Sequence, residues 1–187
     1  MATPPVFSAG AVLTAAQMNA VGMWLVSDTS FTTTTNHDVS NVFTSDFANY
    51  QCWITITAIS ASDTVMFQYR DGSGPYTATN YDSQIMYGNG TTVAASVDMA
   101  LSKQRIGYMY TTPGYGQAVL NLFNPQSSTL RSMYTVQASS VNGTTNGITE
   151  TGGGGVRVTN SFTGIRLTTF GGTAQLTGSI RIYGCRD

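Results

Sequence analysis

The sequence predicts an all-β fold, a β-sandwich of jelly-roll-like type preceded by a short N-terminal helical anchor segment, and three observations lead there. From Trp24 onward the apolar residues recur with a period of two, the signature of half-buried strands. About eight to ten such stretches are separated by Gly, Asn and Pro, the spacing of a sandwich or jelly roll. Only 9% of the 187 residues are charged, against a usual value of about 25%. Thr, Ser, Asn and Gly must solvate the surface, with one Lys (Lys103) and one Glu (Glu150) in the whole chain. β-Branched Thr suits a pleated surface, whereas helix surfaces favour Lys, Glu and Ala.

Along the chain, Met1-Ala2-Thr3-Pro4-Pro5 lacks the basic residues and apolar run of a signal peptide, and Pro4-Pro5 favours an extended start. No apolar run approaches the roughly 20 residues of a membrane-spanning helix. A soluble protein made in a cytoplasm is expected. Leu13 to Gly22 reads as a two-turn helix. Thr14 and Gln17 form a capping box, Leu13 and Met18 a hydrophobic staple, and Gly22 is placed to end it. So short a helix is marginal in water and needs a surface to pack on, either its own domain or another subunit. The division expected is 1–23 as anchor segment and 24–187 as sandwich.

Within the second part, Cys52 to Thr57 alternates, with Cys52, Ile54 and Ile56 on one face and Trp53, Thr55 and Thr57 on the other. Val65 to Arg70 does the same before the turn Asp71-Gly72-Ser73-Gly74-Pro75. Further strands are expected at 105–110, 118–123 (stopped by Asn124-Pro125), 133–137, 155–159, 161–168 and 174–183. Asn89-Gly90-Thr91-Thr92 recurs as Asn142-Gly143-Thr144-Thr145, which reads as repeated turn chemistry. Ser139 to Gly155, ending in four glycines, reads as the most flexible loop.

Few residues offer catalytic chemistry. His37 is the one histidine, beside Asn36 and Asp38 in a turn-like stretch, and reads as a surface-loop residue rather than a base. The nine acids are scattered, and the glycine run lacks the Lys and helix of a phosphate loop. Cys52 and Cys185 read as small buried residues rather than a bridge. No catalytic residue, metal or cofactor is expected. A net charge of −1 supplies no field for nucleic acid.

Two surface patterns remain. Val156-Arg157-Val158, Ile165-Arg166-Leu167 and Ile180-Arg181-Ile182 each set an Arg between apolar residues, so alternation points the arginines outward. They form either an anion-binding stripe or solvated residues that discourage edge pairing. Of the seven tyrosines crowding residues 69–115, Tyr69, Tyr108 and Tyr110 belong to strands, while Tyr76, Tyr81, Tyr87 and Tyr115 are candidates for a ligand or partner surface.

Three blocks carry a family resemblance: Phe7 to Asn19; Val42 to Tyr50 with the strand that follows; and Phe162 to Leu167 with Leu176 to Gly184. They resemble segments of small structural proteins of tailed-bacteriophage virions, described variously as head decoration, head fibre, tail fibre or minor tail protein. The resemblance implies a non-enzymatic component of the virion exterior that partners other capsid or tail proteins. It also implies a homo-oligomer, often a trimer. On this reading Phe7, Leu13, Thr14, Gln17, Met18 and Val21 anchor the chain on the particle and the sandwich projects as a capsid decoration or head fibre. The alternative is a tail-associated module for host attachment, binding a receptor or surface glycan.

Overall fold

The computed structural model describes residues 22–111, 115–142 and 146–185. In chain order the strands are β1 (Met23–Thr34), β2 (His37–Val39), β3 (Asn49–Ile59), β4 (Asp63–Asp71), β5 (Gly74–Pro75), β6 (Tyr81–Asn89) and β7 (Thr92–Leu101). There follow β8 (Gln104–Met109), β9 (Tyr115–Phe123), β10 (Met133–Asn142), β11 (Asn146–Val156), β12 (Gly164–Thr169) and β13 (Leu176–Cys185). No helix occurs among the described residues, which corrects the predicted fold class: they form an all-β fold without the helical segment. The helix expected at Leu13 to Gly22 lies, but for Gly22, outside the described residues. Gly22 itself is a bend with φ of 105°, a backbone that a side chain would strain.

All the strand pairs are antiparallel. One sheet has eight strands in the order β1-β13-β3-β9-β10-β11-β6-β7; the other runs β2-β12-β4, with β5 and β8 both on the far side of β4. Eight of the strands nest: β1 pairs β13, β2 pairs β12, β3 pairs β9 and β4 pairs β8. The outermost pair in sequence encloses the next, and successive pairs fall in alternate sheets, which is the wiring of a jelly roll. Between β4 and β8 the chain inserts β5 to β7, and between β9 and β12 it inserts β10 and β11. These insertions extend the large sheet beyond β9 by four strands.

The two sheets enclose one apolar core. β3 alternates as its sequence requires up to Thr57, with Cys52, Ile54 and Ile56 buried and Trp53 and Thr57 exposed; the register shift against β13 then turns Ile59 inward. β4 departs from the alternation expected of it, since Val65 to Tyr69 are all buried. The reason for Gln68 is visible: the chain passing from β7 to β8 lies over it, and its Nε2 donates to the Ser102 carbonyl at 2.9 Å. Across the core Phe67 of the small sheet meets Tyr134 of the large one edge-on at 5.1 Å, and Tyr69 stacks on Phe162 at 4.6 Å. Each fully buried ring of this kind contributes about 1.5–3 kcal/mol.

Three local expectations change. Gly152 to Gly155 do not form a loop but the last part of β11, bonded to β10 on one side and β6 on the other. Strand pairing uses only backbone, and here the backbones are crowded. A Cβ at Gly152 would fall on the Gln84 carbonyl, at Gly153 on that of Tyr134, and at Gly154 on that of Asp82. β11 then stops at Val156, so the strand expected at 155–159 ends almost where it was to begin. β6 and β7 were not anticipated, although the turn joining them is the expected Asn89-Gly90-Thr91-Thr92, with Asn89 opposite Thr92 and Gly90 at φ of 58°.

Candidate functional site

The outer face of the eight-stranded sheet carries a cleft of about 800 Å³. Strand register assembles it from two transverse rows. Arg181, Trp53, Val119, Gln137 and Thr151 lie side by side on β13, β3, β9, β10 and β11, and Ser179, Thr55, Gln117, Ser139 and Thr149 form the next row. Because side chains alternate along each strand, the residues between them face the core: Ile54, Ala118 and Ala138 are all buried. The side chains projecting into the cleft are therefore mostly hydroxyls and amides, with one indole, one valine (Val119) and one guanidinium, over a lining whose exposed area is more apolar than polar.

Trp53 is fixed by a directional relay in the neighbouring row. Its Nε1–H donates to Gln51 Oε1 at 2.7 Å, Gln51 Nε2 donates to Asn121 Oδ1 at 2.9 Å, and Asn121 Nδ2 donates to Thr135 Oγ1 at 3.1 Å. Each amide accepts at its oxygen and donates from its nitrogen, so every member holds the next in one orientation. Tyr183 packs against the indole at 5.1 Å between centroids, yet Trp53 remains 43% exposed. Arg181 Nε donates to Asp28 Oδ2 at 3.0 Å. Ser139 and Thr149 hydroxyls lie 3.4 Å apart.

Behind the sheet, Glu150 is buried and committed. Its Oε1 pairs with Arg105 Nη2 at 2.5 Å and its Oε2 accepts from the Tyr108 amide at 3.0 Å. Among the described residues no group of three His, Cys, Asp or Glu is placed to hold a metal.

The predicted arginines do not form a stripe. Arg181 is on the large sheet, Arg166 on the small sheet in β12, and Arg157 lies just beyond β11. Each is paired: Arg157 grips Asp82 through two bonds of 2.6 Å, Arg166 grips Asp38 at 2.6 and 2.8 Å, and Arg70 joins the same carboxylate at 2.7 Å. The Arg166 bonds hold Asp38, and the Arg157 bonds hold Asp82, below the usual carboxylate range. The sign alternation that pointed these arginines outward also placed an aspartate across the ladder from two of them, Asp28 and Asp38.

The tyrosines divide differently from expectation. Tyr81 is wholly buried, its hydroxyl donating to the Tyr76 carbonyl at 2.9 Å and accepting from the Tyr69 amide at 3.1 Å. Tyr76 is half-buried against the same cluster, and Asn80 Nδ2 donates to its hydroxyl. Tyr87 is half-buried with the Arg105 guanidinium 6.0 Å from its ring. Only Tyr115 is open to solvent, at the start of β9. Tyr69 is in the core as expected.

His37 is in strand β2, not a loop. Its ring lies 4.6 Å from Phe31 and its Nε2 is 3.0 Å from Thr29 Oγ1. Burial lowers its pKa, with Asp38 opposing. Cys52 is buried and is not bridged to Cys185. Phe7, Leu13, Thr14, Gln17, Met18 and Val21 lie outside the described residues.

A second feature sits at the sheet's free edge. On β7, Val93, Val97 and Met99 point outward beside Met86 of β6, and each is more than half exposed. Sequence reasoning named neither this patch nor the cleft. The signal for the cleft was present, since Trp53, Thr55 and Thr57 had been placed on the face opposite the core, but the partners of that face come from strands over 60 residues away.

Set against protein-family models, curated proteins and solved structures, the chain matches none.

Proposed function

We propose that the protein is a non-enzymatic structural component of the exterior of a tailed-phage virion, and that it works as a homo-oligomer joined through β7. The observation that carries the oligomer is the character of that edge. Among the described residues β7 has no neighbour on one side, and its sequence, TVAASVDMAL, contains no Lys, Arg or Pro. Lys and Pro are among the devices by which free edges guard against pairing; β7 carries two others, the register shift beside Ser83 and the inward charge of Asp98, but both sit at one end of the strand. Its one charge, Asp98, is opposite Ser83 on the inner face, while Val93, Ala95, Val97 and Met99 line the outer one. A second copy laid antiparallel along β7 would satisfy the open backbone and cover these side chains together. The low charge of the chain and its resemblance to virion structural proteins support placing such an assembly on a particle.

Two measurements test this. In purified virions of the phage that encodes it, an antibody to the protein should decorate the particle surface by electron microscopy; absence from purified particles refutes the virion role. In sedimentation, the wild-type protein should run as an oligomer and Val97→Lys as a monomer with an unchanged melting temperature. A wild-type monomer at micromolar concentration refutes the β7 interface.

A further inference from the structure

We propose that the cleft across β13, β3, β9, β10 and β11 binds an uncharged linear oligosaccharide. This goes beyond the structural role above and does not depend on it.

The lining carries the argument. Gln117, Gln137, Thr55 and Ser139 both donate and accept hydrogen bonds, so they suit a ligand whose polar groups are hydroxyls, which do the same. Trp53 offers an exposed ring face to the C–H surface of a sugar. Because the relay through Gln51 and the packing of Tyr183 already hold that ring, little ordering cost attends binding. The volume, about 800 Å³, falls in the range of ligand sites, roughly 300–1,000 Å³. Five strands at about 4.8 Å spacing give a length of roughly 19 Å, more than one sugar ring occupies.

The same features exclude nucleic acid. Arg181 is the one cation in the cleft and already pairs with Asp28, whereas nucleic acid binding draws on several cations along a groove.

The test uses the full-length protein labelled with nitrogen-15, titrated separately with cellohexaose, maltohexaose and chitohexaose, and with a thymidine octanucleotide as the charged control. At least one hexaose should shift the Trp53 indole N–H resonance and leave that of Trp24 in place. Trp53→Ala should weaken its binding by about tenfold or more, and Gln137→Ala severalfold. Gln137 is exposed, so Gln137→Ala should melt with the wild type, while Trp53→Ala loses the Tyr183 contact and should melt somewhat lower but still cooperatively. Val97→Lys should bind the sugar as wild type does, so loss of the β7 interface and loss of sugar binding read out separately. The proposal is overturned if none of the three hexaoses binds, if Trp53→Ala binds as well as wild type, or if the octanucleotide binds in their place.

Discussion

Thr33 sits at a φ of 49°, inside the irregularity where the β1–β13 register shifts between Phe31 and Thr34. Left-handed backbone crowds the Cβ of any L-residue, and a β-branched one most, at about 1–2 kcal/mol. The bulge holds it there, with the Thr33 amide donating to Thr177 Oγ1 at 3.0 Å and its own side chain exposed. Thr33→Gly should therefore raise stability by about 1 kcal/mol, read as a higher urea midpoint with an unchanged slope. Asn124 holds a similar φ of 55° at less strain, because Asn tolerates this region. It turns the chain directly after β9, where the sequence Asn-Pro had marked a stop.

Among the elements, β11 shows how far pairing can proceed without side chains. The first three glycines of its run, Gly152 to Gly154, are crowded by carbonyl oxygens of β6 and β10, so Gly154→Ala must push β6 away at Asp82. We expect that substitution to cost several kcal/mol, in the manner of core overpacking, and to abolish the cooperative melt or lower it steeply. Thr151→Val, three residues earlier and exposed, should be nearly neutral in the same assay. Legibility in the sequence followed the same physics. β3, β9, β10 and β13 could be read because one face is apolar and the other is not. β7 could not, since its apolar residues face outward and Ser96 and Asp98 face inward. In β6, Ser83 is buried while Met86 is exposed, so binary pattern fails there too. The glycine run carries no pattern at all. The cleft was hidden for a different reason: its rows exist only after five strands from distant parts of the chain come into register.

The whole molecule should lose stability at both extremes of pH. Asp38 and Asp82 are held low chiefly by arginine hydrogen bonds, and Asp71 by those from Ser73. For each, the unfolded chain takes up its proton first, so stability is lost as pH falls below the ordinary value of 3.8. His37, lowered by burial, adds a smaller loss of the same sign once pH drops below 6.5. In alkali, burial raises the phenols of Tyr50, Tyr69, Tyr81 and Tyr134 above 10.0. Their protons are then released from the unfolded chain first, and stability falls as pH climbs past that value. Urea midpoints across pH should be nearly level from 6.5 to 9, decline gently to 4, and collapse beyond each end. His37→Asn should remove the gentle decline.

The nested pairing also sets a timetable. β1 leaves the ribosome early, but its partner β13 is more than 140 residues downstream, and β2 likewise waits for β12. The inner pairs, β4 with β8, β3 with β9, β6 with β11 and the hairpins β6–β7, β9–β10 and β10–β11, can close before β13 is made. β1 is thus the last of the described strands to be paired, because its backbone waits for β13. An assembly needing many copies would feel that delay as a limit on yield, set by how quickly each chain brings β13 back to β1.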